Sequence, residues 1–109
     1  MNAVYRGCRH SSGCDVTVER NGKTMPLPWR LDLAEHSPTG LTWGYAGSGP
    51  HQLALALLAD AVGKKAALNL YDRFTVEIVA HLPYEGWELS AETVRGWAQR
   101  QQAERVVTS

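Results

Sequence analysis

SPTGLTWGYAGSGPHQLALALLAD, residues Ser37 to Asp60, is the stretch whose reading decides the fold. Ser37-Pro38-Thr39-Gly40 is turn chemistry, because proline fixes φ and glycine tolerates the left-handed region. Leu41, Trp43 and Tyr45 then alternate with Thr42 and Gly44, a period of two that predicts a short strand. Gly44, Gly47 and Gly49 break the pattern, and Pro50 suits a first helical turn, where its missing N–H has no intrahelical partner. Ser48 or Gly49 is the expected N-cap. From Leu53 to Ala59 the chain is leucine and alanine with no polar face, so the helix is expected to be buried on most sides. It is too short for a bilayer, which needs about 20 apolar residues. Gly63 is its stop, with Lys64 and Lys65 beside the negative end of its dipole.

N-terminal to this stretch, β-prone runs at Val4–Arg9 and Asp15–Arg20 flank a His10–Gly13 loop. Asn21-Gly22 is a strong hairpin signal and should return the chain through Lys23–Leu27. Pro26 and Pro28 cannot donate to a ladder, so this third strand is short or lies at an edge. Trp29 to Glu35 alternates at Trp29, Leu31 and Leu33 and is read as extended, with a helical turn over Leu31–Glu35 as the alternative. C-terminal to Gly63, Ala67, Leu70, Tyr71, Phe74, Ile78 and Leu82 recur at helical steps and predict a helix over 64–82. A strand over 74–80 is the alternative, and Pro83 stops either. Tyr84–Gly86 reads as loop. Ser90 is a good N-cap and Glu92 favours a first turn, so a last helix is expected over 91–104 with Val94, Trp97 and Ala98 inward. Fraying is expected beyond Val106.

The sum is an α+β chain of one domain over 1–109. An antiparallel meander of three or four strands packs on a central apolar helix at about 50–62, joined by helices at about 64–82 and 91–104. One hundred and nine residues suffice for a core. Eleven basic residues balance eleven acidic ones, which argues against a generic nucleic-acid binder and against an acidic mimic of DNA. Met1-Asn2-Ala3-Val4 lacks the basic start and apolar run of a secretory signal, so the expected location is the cytoplasm. Cys8 and Cys14 fit free thiols there.

Tyr5-Arg6-Gly7, Ser37-Pro38-Thr39-Gly40, Trp43-Gly44-Tyr45, Gly47-Ser48-Gly49-Pro50, Gln52-Leu53-Ala54-Leu55-Ala56, Leu82-Pro83 and Trp97 together resemble a family of small bacterial and phage proteins. That family is catalogued as a domain of unknown function. The resemblance implies a single-domain fold and a home on mobile elements, and supplies no catalytic residues.

No set of residues reads as catalytic machinery, and no cofactor is implied. Gly44, Gly47 and Gly49 follow G-x-x-G-x-G, which is neither the dinucleotide order nor a P-loop. Glycines that let a bulky segment turn against a buried helix are the simpler reading. A phosphate or nucleotide site at Gly44, Gly47, Ser48, Gly49 and His51 is the alternative. Cys8, His10 and Cys14 lack a fourth ligand and the paired spacing of zinc sites, so no metal is expected. A Cys8–Cys14 cross-strand disulfide fits the hairpin but not a reducing cytosol. His51 and Asp60 are about 90° apart on the helical wheel and form no dyad. Asp60 needs a cationic partner such as Lys64, Arg30 or Arg6. Four tryptophans are many for this length; Trp43 and Tyr45 are either core, the commoner place for large apolar side chains, or an exposed patch, since aromatic residues anchor interfaces. The leading expectation is therefore a non-enzymatic module docking a protein partner through Trp43, Tyr45, Gly47, Ser48 and Gly49, with no membrane role and homo-oligomerisation left open.

Overall fold

The computed structural model describes residues 2–38 and 40–108. Thr39, part of the expected Ser37–Gly40 turn, lies outside the described residues. Strands β1 (Val4–His10), β2 (Gly13–Arg20) and β3 (Lys23–Pro26) form the expected meander. Asn21 and Gly22 both take positive φ, 52° and 78°, the geometry that joins twisted strands in two residues. β3 has four exposed residues and forms one edge, as its prolines require.

The fourth strand comes from far along the chain. β4 (Gly86–Ser90) pairs antiparallel with β1, giving the order β3-β2-β1-β4. Its register sets Trp87 opposite Gly7. The indole lies where a Cβ on Gly7 would be, and meets Trp43 edge-on at 5.5 Å. Glycine at position 7 therefore makes room for the ring that anchors the edge strand.

The place beside β1 is filled by β4, and residues 41–45 are not a strand, contrary to the alternation. Leu41 and Trp43 enter the core while Tyr45 turns outward. Gly44 N of this segment donates to Val79 O at 3.1 Å, with Gly44 at φ 88°. Trp29–Glu35 is also not extended. It makes a turn at Arg30 (φ 59°), closed by Leu33 N on Arg30 O at 3.0 Å.

Helix α1 (Ser48–Val62) is the buried cylinder, with every residue from Gln52 to Ala59 buried. The sheet's inner residues Tyr5, Val16 and Val18 share its core, with α2 (Lys64–Glu77) and α3 (Ala91–Thr108) against its other sides. Gly63 separates α1 from α2 at φ 93°. The N-cap of α1 is Gly47, not Ser48 or Gly49, and it makes no side-chain cap bond. α2 ends at Glu77, five residues before the expected Leu82, and a 3-10 turn at Val79–His81 follows. The β-branched run Thr75-Val76 weakens this end, but no strand forms over 74–80. Ser90 caps α3, with Thr93 N donating to its Oγ at 3.0 Å. α3 continues past the expected Glu104 and through Val106 to Thr108.

Candidate functional site

Trp43 has no exposed surface. Its Nε1 donates to Tyr84 O at 2.9 Å, so its polar atom is satisfied inside. It is core, and docking through Trp43 is withdrawn. Gly49 is buried as well. A Cβ there would overlap Thr42 Oγ1, and one on Gly47 would lie 2.6 Å from the Tyr45 ring. Both glycines thus have a packing reason, as the simpler reading held.

What the corner does form is a cleft of about 410 Å³. The β1–β2 hairpin end gives one wall with Arg9, Gly13 and Cys14. The strap before α1 gives another, with Ser37, Gly40, Leu41 and Thr42. Tyr45, Ser48 and Gly49 close it. The first intrahelical bond of α1 runs from His51 N to Gly47 O at 2.9 Å, so the N–H groups of Ser48 and Gly49 have no acceptor within the helix. Thr42 and Tyr45 share a hydroxyl bond of 2.9 Å on the wall.

Arg9 is the residue that the sequence reading missed. It sits on the inner face of β1, half-buried. Its Nε donates to Tyr84 O at 2.9 Å and its Nη2 to Trp43 O at 3.3 Å. The guanidinium lies 3.8 Å from the Tyr84 ring centre and 5.0 Å from that of Trp43. Two carbonyls and two rings fix its plane, yet among the described residues no carboxylate pairs with it. Arg6, Arg20, Arg30 and Arg73 each have one. A fixed guanidinium with spare donors and no counter-charge suits an anion. Only the fold could reveal this, because Tyr84 and Trp43 lie 75 and 34 positions away.

The expected ligand set does not converge. Ser48 and Gly49 line the Arg9 cleft, whereas Gly47 and His51 line a separate one of about 280 Å³ with Ala46, Asp72, Thr75 and Val76. Gly44 lines neither of these. His51 is no exposed helix-start histidine. Its Nε2 pairs with Asp72, and its ring stacks on Tyr71 at 4.6 Å. The His36 ring stands 4.2 Å from that of His51, and its Nε2 meets the Tyr71 hydroxyl at 2.7 Å. Burial first, then the His51 charge, pushes the His36 imidazole below its ordinary range. Burial and then Asp72 push the Tyr71 phenol up.

Asp60 is paired, but with none of the expected partners. It accepts from the Tyr5 hydroxyl at 2.6 Å and pairs with Arg20. Burial and the Asp60 bond push the Tyr5 phenol well above its ordinary range. Cys8 stands opposite Asp15 and Cys14 opposite Arg9. Directly opposed residues share a face and neighbours alternate, so the two thiols lie on opposite faces and cannot bridge. Among the described residues no group of three potential ligands can hold a metal ion, and no helix is long and apolar enough to cross a membrane.

Residues 5–100 match the Family of unknown function (DUF6166). No curated protein and no solved structure matches the chain.

Proposed function

The chain belongs to that family, and we propose that it is a non-enzymatic recognition module whose cleft holds a small anionic ligand of the phosphate or nucleotide class. The observation that carries this is Arg9: half-buried, fixed by the carbonyls of Trp43 and Tyr84, without a carboxylate among the described residues, on the wall of the cleft of about 410 Å³. The N–H groups of Ser48 and Gly49, which have no acceptor within α1, add a second attraction for negative charge. Thermal unfolding with added inorganic phosphate tests it. At ten times Kd a ligand stabilises by about 1.4 kcal/mol, which raises Tm by several degrees for a domain of this size. Arg9→Gln should abolish the phosphate-induced rise, whatever it does to the starting Tm. An equal rise in wild type and variant, or none at millimolar phosphate, rejects the proposal.

A second reading is docking of a host protein in the cytoplasm by a chain borne on a phage or other mobile element. Its support is the exposure of Tyr45 (52%) and Tyr84 (66%) beside Arg9, with Gly47 and Ser48 between the two clefts. A partner captured from host lysate should be lost on the double change Tyr45→Ala, Tyr84→Ala with Tm preserved. Equal capture by the variant would count against this surface. Defence or phage genes beside the coding sequence favour docking, and a metabolic operon favours the ligand.

A further inference from the structure

We propose that His36 and His51 form a proton-operated latch that holds the strap before α1, and with it one wall of the Arg9 cleft, against α1 and α2. The latch stands on its own geometry; only its consequence for binding rests on the anion reading above.

The strap is fastened to the helices through few groups. Gln52 of α1 is wholly buried. Its Oε1 accepts from His36 N at 2.7 Å and Ser37 N at 3.2 Å, and its Nε2 donates to Trp29 O at 2.6 Å. One α1 side chain thus holds the strap at two places. The second fastening is the His36 ring, bonded to Tyr71 of α2 and set against His51 of α1. Directly after His36 come Ser37, Gly40, Leu41 and Thr42, the strap's share of the cleft wall.

The charges acting on His36 are His51 from α1 and Asp72 from α2, with the neutral Tyr71 hydroxyl as its hydrogen-bond partner. His51 Nε2 is bonded to Asp72. Protonation of His36 would set a charge in a partly buried place, 4.2 Å from the His51 ring. Released into water, His36 would regain an ordinary affinity for protons, with a pKa of about 6.5.

The sign follows from which state binds more protons. Above about pH 6.5 both states leave His36 neutral and the latch is at full strength. As pH falls from there toward the lowered value of the closed state, the open strap takes up a proton that the closed one refuses. The latch weakens over that window and levels off below it. Each unit separating the two pKa values multiplies the open population tenfold.

Backbone hydrogen exchange without added anion, followed from about pH 7.5 to pH 5 and corrected for intrinsic rates, tests the latch. The His36 and Ser37 amides should lose protection in the wild type as pH falls. In His36→Gln, which keeps an acceptor for Tyr71 but cannot titrate, their protection should stay level. A level wild-type profile, or the same fall in the variant, overturns the latch. Should His36→Gln not fold, His51→Gln gives a second readout. Removing the His51 imidazole should raise the His36 pKa measured by NMR, and an unchanged value overturns the proposal. Sulfate, dianionic across this range, separates the two readings. No sulfate binding at pH 7.5 removes the anion site and leaves the exchange result to decide the latch. Sulfate binding with level exchange removes the latch alone.

Discussion

A side chain at position 49 has nowhere to go. Its Cβ would occupy the space of Thr42 Oγ1, so Gly49→Ala should destabilise by about 1–3 kcal/mol, the usual cost of overpacking. Thr42→Ala removes that oxygen and should recover part of the loss. The non-additivity of the two changes in urea unfolding measures it; strictly additive losses would contradict the contact. The same residue shows what a sequence can reveal. That glycines here serve a tight corner was legible, because glycine beside a proline-started helix has few other uses. Which of them face a cleft was not, because Gly47 and Gly49 are two positions apart and line different ones. Trp43 was undecidable for a related reason. A large aromatic residue suits both a core and an interface, and only the carbonyl of Tyr84, 41 positions on, makes it core. Arg9 carried no local signal, since its partners are two backbone oxygens from distant segments.

At the scale of elements, local rules served where an element is specified by its own residues. The Asn21-Gly22 turn, the apolar α1 and the Ser90 cap are each written in a few adjacent positions. They failed where pairing is decided from afar. Leu41, Trp43 and Tyr45 alternate like a strand, but the sheet position beside β1 belongs to β4. Gly86–Ser90 wins it through Trp87, whose ring needs the missing side chain of Gly7. Trp87→Ala should therefore cost about 3–5 kcal/mol. It should also strip exchange protection from β4 before β2. Equal loss across the sheet would mean that β4 is not anchored by the ring.

At the scale of the molecule, the sheet and α1 are tied by one polar junction. Asp60 receives Tyr5 from β1 and Arg20 from β2. Asp60→Asn removes the charge that both donors share, and a loss of about 1–3 kcal/mol is expected in urea unfolding. An unchanged midpoint would show that the junction adds nothing. On the solvated outer face of the sheet Arg6 stands between Glu19 and Glu88 at 2.5 and 2.8 Å. At the sheet end Arg9, the strap and the start of α1 line one cleft. Phosphate titration of the isotope-labelled protein by NMR examines that place directly. Saturable shifts are predicted at the Ser48 and Gly49 amides and at Arg9 Nε, and they should vanish in Arg9→Gln. Shifts scattered over the surface, or persisting without the guanidinium, would contradict an anion site in this cleft.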